Sequence, residues 1–328
     1  MNENTLSLLD ADSIELHYWL NNKSHAMDAF IQNECETEFL GILKEIANTF
    51  NVQICVETEP LANGGIRRWF RIISKNESKK AVITTALVTT LAVTIITTPI
   101  TTVLSEVTKH VVDKFFEDPE IKALEKEKLK LEIVSLKIDT EYKRQKLNVN
   151  VKITKKRSNF FQKLDSSPKV NQISLTLENN EKNKISNELF VKKSEFKNYV
   201  LASDNLDPET IENASIEIIS PVLKKGGYKW RGIYKGDIIS FSMKSNEFKT
   251  LVQTSKIEFK NGSSIRCLLL INKKMDTNGE EEIVSYDILR VNEYFENDQP
   301  IETPEYKKHK QVLDAEKSQT KLTDLAEF

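Results

Sequence analysis

The sequence has few of the residues from which recognisable catalytic and metal sites are built. It contains three cysteines, Cys35, Cys55 and Cys267, which lie far apart in the chain. An odd and widely spaced set excludes a disulfide framework and a zinc pattern, and it is typical of reduced thiols in the cytosol. No phosphate loop of the Gly-x-x-x-x-Gly-Lys-Ser/Thr type is present. The N-terminus also lacks the basic and apolar regions of a cleavable signal peptide.

Length and net charge limit the number of domains and the kinds of charged surface that the chain can have. A chain of 328 residues suits two domains, each with a core of its own. The formal net charge of −2 means that the chain as a whole is not a polyelectrolyte. A basic or acidic surface must therefore be local.

Charge is absent from one long stretch, which lies between Lys80 and Glu106. Residues 81–104 are long enough to cross a bilayer, which takes about 20 apolar residues, but nine of them are Thr. Because Thr can return its hydroxyl to a carbonyl one turn back, a helix in lipid tolerates it. The sequence predicts a membrane-associated segment over 79–116. The alternatives are buried strands, a helix hidden in an oligomer, or a re-entrant segment.

The basic residues before this segment predict its orientation. Lysine and arginine outnumber acids over 61–80, and such residues remain on the cytoplasmic side. We therefore expect a protein of the bacterial inner membrane with its N-terminal domain in the cytoplasm. A cytoplasmic protein is the alternative.

The first 75 residues predict a small α/β head domain. Residues 13–20 alternate between apolar and polar side chains, which indicates a strand. Residues 24–50 have helical periodicity with Ser24 as N-cap, and 52–60 indicate a second strand. The candidate catalytic or metal-ligating groups of the helix are His25, Asp28, Glu34 and Glu38. His17 could also meet Glu57 and Glu59 across strands. These spacings match no established ligand motif, so no metal or cofactor is assigned, and a solvated helix face is the alternative.

Residues 117–150 predict a helical stalk. Asp118 is a helix cap and Pro119 occupies the first helical position. A heptad repeat follows, formed by Leu124, Leu131 and Ile138. It favours a homo-oligomer joined through 118–147, and packing against the protein's own domains is the alternative. A row of lysines on another face suits anionic lipid or nucleic acid, or is simply solvated.

The hydrophobic period changes from helical to alternating near residue 150. A β-rich domain is predicted over 151–296, as an antiparallel sheet or small barrel, with a charged tail over 297–328. The predicted strands are 171–178, 215–223, 228–234, 238–243, 255–260, 264–273 and 283–291. Asn261-Gly262 is a hairpin signal.

Residues 224–237 interleave aromatic and basic side chains within this domain. Stacking aromatics and cations can hold single-stranded nucleic acid or a nucleotide. The candidate ligand-binding residues are Tyr228, Trp230, Arg231, Tyr234 and Lys235. Because the aromatics and the cations have opposite parity, the alternative is an aromatic core face with a basic outer face.

Together these features predict an α+β protein. It has a small α/β head, a hydrophobic membrane helix, a long connecting helix and a mainly antiparallel β domain. The arrangement is similar to that of bacterial membrane-tethered sensors or effectors, including those of phage-defence systems. We expect a protein that recognises a ligand or protein partner and oligomerises. The alternatives are a metal-dependent hydrolase with its site in the N-terminal domain, and a soluble nucleic-acid-binding module.

Overall fold

The chain folds into two compact units in the computed structural model. The structure describes residues 7–21, 26–58, 66–126, 130–148, 150–224, 226–260, 262–296 and 299–324. The first unit runs up to Asp204 and includes Thr277–Glu280. The second comprises Asn205–Asp276 and the chain from Glu281 onward. Helices and two sheets are both present, so the predicted α+β class is confirmed.

The first unit contains an antiparallel sheet of order β2-β3-β1-β4-β5. Its strands are β1 Ser13–Leu20, β2 Ile54–Thr58, β3 Ile66–Ser74, β4 Val170–Glu178 and β5 Leu189–Lys192. The order and directions of the first four strands are those of a split β-α-β unit. The helices between β3 and β4 form a long insertion into that topology.

The helices of the first unit pack on one face of this sheet. They are α1 Ala29–Thr49, α2 Lys79–Thr97, α3 Leu104–Glu117, α4 Pro119–Lys126, α5 Lys130–Asn148 and α6 Val151–Ser166. Helix α1 starts later than the sequence predicts. Its N-cap is Asp28, whose carboxylate accepts hydrogen bonds from the backbone N–H groups of Phe30 and Ile31. The predicted cap, Ser24, lies outside the described residues.

Strand alternation divides the sheet into an apolar and a polar face. On β1, Ile14, Leu16 and Tyr18 are buried in the core with the helices. Glu15 and His17 point to the other face, because successive side chains of a strand alternate. Both are nevertheless only 3% exposed.

Helix α2 is the hydrophobic segment, and most of it is buried inside the first unit. Its threonine hydroxyls donate to the carbonyls four residues earlier, as Thr89 does to Thr85 at 2.9 Å. At the C-terminal end, Arg157 donates to the carbonyls of Ile95 and Thr98 at 3.0 and 2.9 Å. The Tyr199 hydroxyl donates to the carbonyl of Thr97 at 3.0 Å. Side chains from later in the chain therefore satisfy carbonyls that a helix end leaves without intrahelical partners.

The predicted stalk region contains α4 and α5, with 127–129 outside the described residues. On α5, Ile133, Leu136 and Leu147 are buried in the core of the first unit. Ile138, a predicted heptad position, is 70% exposed. The described part of α5 thus packs on its own unit, which was the alternative interpretation. Self-association through 118–147 stays a prediction.

The second unit contains a small barrel. Its strands are β6 Glu209–Ser220, β7 Trp230–Tyr234, β8 Asp237–Met243, β9 Ser264–Met275, β10 Glu281–Glu296 and β11 Gln299–Glu302. The ring β6-β7-β8-β10-β9 closes on β6, and only the β8–β10 pair is parallel. Helix α7 Asn246–Gln253 connects β8 to β9, and α8 Pro304–Asp324 follows β11. This order is that of an OB-type barrel.

Two local predictions in this unit have different outcomes. Residues 255–260 do not form a strand, so that prediction is wrong. Their apolar members, Ile257 and Phe259, pack on the barrel core from a loop, which explains the alternating pattern. Asn261 lies outside the described residues. Gly262 has φ of +82°, the left-handed conformation that glycine adopts readily in a turn.

The two units divide the chain at a different place from the predicted domains. The sequence assigns 1–75 to the head and 151–296 to the β-rich domain. In the structure, α6, β4 and β5 belong to the first unit. The physical reason is that β4 pairs with β1 from Ser13↔Glu178 to Leu20↔Val170.

Candidate functional site

The predicted acidic and histidine candidates of α1 do not converge on one site among the described residues. His25 lies outside the described residues, as does Glu59. Asp28 caps α1. Glu34 forms an ion pair with Lys163 at 2.7 Å, and Glu38 accepts a hydrogen bond from Asn159 at 3.0 Å. Each described carboxylate has a separate partner, which is typical of helix capping and of helix–helix packing.

The predicted ligand-binding residues of the second unit separate into core and surface groups. Trp230 and Tyr234 are buried in the barrel. Arg231 and Lys235 are exposed, and Tyr228 is 59% exposed. On β7 the aromatics thus face inward and the basic residues outward.

A buried cluster on the polar face of the first sheet is the candidate functional site. It consists of Glu15 and His17 on β1 and Glu188, which directly precedes β5. One potential ligand atom from each side chain lies within 4.8 Å of those of the other two. Glu15 and His17 share this face because they are two residues apart on a strand. Glu188 joins them because β4 separates β5 from β1 in the sheet.

His17 is held neutral at physiological pH. Burial lowers the pKa of His17 to about 4, the charges of Arg67 and Lys184 lower it as well, and Glu188 opposes them. The Nδ1 atom of His17 is buried and has no hydrogen-bond partner among the described residues. A neutral imidazole is the form that binds metals. The ring packs on Trp19 with 4.0 Å between ring centroids.

The carboxylate of Glu188 is oriented by a chain of hydrogen bonds. The Trp19 indole N–H donates to Ser174 Oγ at 2.8 Å. Ser174 Oγ in turn donates to Glu188 Oε1 at 2.6 Å. Burial raises the pKa of Glu188, but the Ser174 hydrogen bond and the charge of Lys184 outweigh it, and the pKa lies below its ordinary value. Glu188 is therefore ionised.

Two further contacts on this face involve Glu15 and Glu178, whereas the buried Thr176 hydroxyl has no hydrogen-bond partner among the described residues. Arg67 Nη1 lies 3.5 Å from Glu15 Oε2. The Trp69 indole N–H donates to Glu178 Oε2 at 3.1 Å. Burial and the charge of Glu15 raise the pKa of Glu178. These contacts balance part of the negative charge that the cluster brings into the protein.

A cavity of about 610 Å³ lies beside Glu188, although Glu15 and His17 are not part of its lining. Its wall contains Glu188 and Lys184, and helix α2 contributes Thr90, Val93 and Thr94. The lining of the cavity mixes apolar side chains with polar and charged ones, including Lys114, Lys184 and Glu188. Glu188 belongs both to the cluster and to the cavity wall.

The donor set fits a divalent transition metal. Two carboxylates and one neutral imidazole are ligands that Zn²⁺ accepts, and His with carboxylates also suits Mn²⁺ or Fe²⁺. Three protein ligands leave a coordination position for water or a ligand. The buried and unpartnered His17 Nδ1 supports the fit, since buried polar atoms normally have a partner. The neighbouring positive charges of Arg67 and Lys184 oppose cation binding.

Sequence reasoning found one member of this cluster but paired it with other residues. Glu57 pairs with Arg71 in the β2–β3 ladder, whereas His17 pairs with Arg67. The β3 residue opposite Glu57 is therefore four positions along the strand from the β3 residue opposite His17, so the two side chains do not meet. The local Glu-x-His pattern of residues 15–17 could have been read from the strand period, but Glu188 could not. In comparisons with known proteins, no family model, curated protein or solved structure matched the chain at a significant level.

Proposed function

We propose that the protein acts by ligand recognition, and that its first unit holds a divalent transition metal at Glu15, His17 and Glu188. The observation that carries this proposal is the convergence of the three ligand atoms around a buried, unpartnered imidazole nitrogen. The metal would supply the strongest local charge at the cluster, so an anionic or electron-rich ligand would bind at its open coordination position.

The surroundings of the cluster favour recognition over turnover. A general acid or base must be within reach of the reacting proton and free to exchange it. On the same face, Glu178 accepts a hydrogen bond from Trp69, and Lys184 lies 3.5 Å from Glu188. The Trp19–Ser174–Glu188 chain instead fixes the orientation of a ligating carboxylate, a role that is common around metal sites.

Calorimetric titration of the full-length, chelator-treated protein with Zn²⁺ and Mn²⁺ tests the proposal. We expect binding of one ion per chain. Glu188→Gln keeps the shape of a side chain that is 21% exposed, and it should weaken binding at least tenfold, as even indirect changes around metal sites do. Glu57→Gln on the same sheet face is the matched control and should leave binding unchanged. Absence of binding, or equal affinity in the Glu188 variant, would refute the metal site.

A metal-dependent hydrolase is the catalytic alternative, and it would use the same centre with its substrate in the 610 Å³ cavity. Metal-loaded protein that turns over a generic phosphoester or carboxyl ester would favour it, provided that Glu188→Gln abolishes the turnover. A loaded protein that binds metal but hydrolyses neither ester supports recognition.

Membrane association is a second candidate, and helix α2 is the observation that favours it. Within the described residues, α2 is the one helix long and apolar enough to cross a bilayer. However, 72% of its most apolar window is buried in the protein, and a core helix passes the same test. A membrane-tethered sensor or effector would require α2 to leave the first unit. Flotation of the full-length protein with lipid vesicles tests this candidate, and a protein that stays with the soluble fraction contradicts it.

A further inference from the structure

The second unit contains a pocket whose charged lining is entirely basic among the described residues. It has a volume of about 140 Å³. Three lysines line it, namely Lys224 before β7, Lys244 after β8 and Lys249 on α7. We call this the lysine pocket. The sequence analysis selected the neighbouring stretch 224–237 but not Lys244 or Lys249.

The three ammonium groups make no ion pair and no side-chain hydrogen bond within the described part of the chain. This differs from other lysines of the unit, since Lys273 pairs with Glu209 and Glu281. Like charges that line one small pocket without a counter-charge repel one another, and a bound anion would remove that repulsion. Ammonium groups bind phosphate through charge-assisted hydrogen bonds.

Uncharged groups complete a lining suited to phosphate. Ser242 and Gln253, whose side chains carry hydrogen-bond donors, also line the pocket, together with Gly226 and Gly227. Lys249 and Gln253 are one helical turn apart on α7, so both face the same side. The volume equals that of about five water molecules, which suits a single phosphate group and is too small for a nucleoside.

An exposed aromatic ring lies at the edge of the lysine pocket. Tyr228 is 59% exposed and lines the pocket. A Cβ at position 226 would lie 2.8 Å from the Tyr228 ring, and Gly226 has φ of +146°. Glycine is therefore required for the ring to fold back over this loop. A ring in this position offers a flat surface to whatever projects from a bound phosphate.

We propose that the lysine pocket binds the phosphate group of a small phosphorylated molecule, whose planar part lies against Tyr228. This inference is independent of the metal site, because it concerns different residues in the other unit. A single strand of nucleic acid is the competing occupant. It would need cations outside the pocket, such as the exposed Arg231 on β7, to follow its backbone.

Calorimetry on the full-length protein, with inorganic phosphate and AMP as probes, tests the proposal. Both should bind with one site per chain. Lys244→Gln and Lys249→Gln should each weaken binding of both probes at least fivefold. Arg231→Gln removes the same charge from an exposed position outside the pocket, and it should change the affinity less than twofold. Tyr228→Leu should weaken AMP and leave phosphate unchanged.

Three outcomes would overturn the proposal. The first is no saturable binding of either probe. The second is an equal loss in Arg231→Gln and in the pocket variants, which would indicate a diffuse basic surface. The third is a decathymidine that binds more than tenfold tighter than AMP and depends on Arg231, which would assign the surface to a nucleic-acid strand. Circular dichroism of each variant confirms that the fold is retained.

Discussion

Arg157 is a buried cation whose partners are carbonyl oxygens at the end of a helix. It is 3% exposed, and burial lowers its pKa to about 10, with Tyr199 opposing the shift. The guanidinium is therefore still protonated at neutral pH. It lies at the C-terminus of α2, where the helix dipole favours positive charge. The electrostatics of the helix end replace the carboxylate that a buried arginine usually requires.

Replacing Arg157 should destabilise the first unit. Arg157→Met retains much of the volume but leaves the carbonyls of Ile95 and Thr98 without these donors. A buried group that loses its hydrogen bond costs about 1–3 kcal/mol, so we expect a loss of that order in the free energy of unfolding. Chemical denaturation monitored by circular dichroism measures it.

Lys163→Met provides the control, because it removes a cation from the same helix α6 where the side chain is 45% exposed and forms only a surface ion pair with Glu34. It should change the stability by less than about 0.5 kcal/mol. Equal stabilities of the Arg157 and Lys163 variants would show that the contacts at the end of α2 contribute nothing.

The residue scale also shows what local patterns can and cannot reveal. The strand period places Glu15 and His17 on one face, and this follows from the sequence alone. Glu188 joins them through sheet pairing with a strand more than 150 residues later in the chain, which no local period encodes. The sequence suggests Asp28 as a candidate catalytic group because it shares a face of the predicted helix with His25. In the structure the same position makes it a cap.

Helix α2 shows the limit of prediction for a whole element. Its length and lack of charge predict a membrane-associated segment, and the structure contains an apolar helix over Lys79–Thr97 that is mostly buried in the protein. Composition does not distinguish burial in lipid from burial in protein, since both surroundings are apolar. The deciding contacts come from α6 and from the 3₁₀ turn Lys193–Tyr199, which lie far along the chain.

Introducing a charge into the middle of α2 distinguishes burial in protein from burial in lipid. Val88 is fully buried, whereas Val82 on the same helix is 48% exposed. If the first unit is the native environment, Val88→Asp buries an unpaired carboxylate and should cost about 3–5 kcal/mol. Val82→Asp, near the helix N-terminus, should be nearly neutral. Thermal unfolding of both purified variants measures the difference.

The opposite result would support the membrane candidate. In that case Val88→Asp would move the protein from the membrane to the soluble fraction while the first unit keeps its stability. Fractionation of the same two variants therefore accompanies the unfolding experiment.

The boundary between the two units could not be predicted from the hydrophobic periodicity of the sequence. The sequence predicts a change from helical to alternating pattern near residue 150, but α6 Val151–Ser166 lies beyond that point and the next strand begins only after it. That strand, β4, completes the sheet begun by β1. The barrel strands β7, β8 and β9 lie close to their predicted positions, because each is short, alternating and bounded by turns. Which strands share a sheet depends on long-range pairing, and a sequence pattern does not contain it.

Self-association is the remaining prediction at the scale of the whole molecule. On α5, Val134, Ile138 and Tyr142 recur every four residues and are 38%, 70% and 60% exposed. This row includes one position of the predicted heptad. If two copies of the chain meet here, Ile138→Lys should convert a dimer into a monomer, because the lysine would be desolvated without a partner.

Light scattering coupled to size exclusion measures the mass of the full-length protein at tens of micromolar. Val312→Lys on α8, at a residue 55% exposed, makes the same kind of change elsewhere and should leave the mass unaltered. An unmodified protein that is already monomeric would remove the case for association through α5.

The threonine hydroxyls of α2 have a consequence for the energetics of that helix. Because Thr84, Thr89 and Thr94 donate to carbonyls of their own helix, their methyl groups are left to face the surroundings. The transfer free energy of such a surface between two apolar media is small, since no polar bond to a neighbour has to break. The side-chain surface of α2 therefore does little to determine whether the helix lies in protein or in lipid. The contacts that fix the position of this helix lie at its C-terminal end. There Arg157 and Tyr199 donate hydrogen bonds to carbonyl groups that a hydrocarbon environment would leave unsolvated.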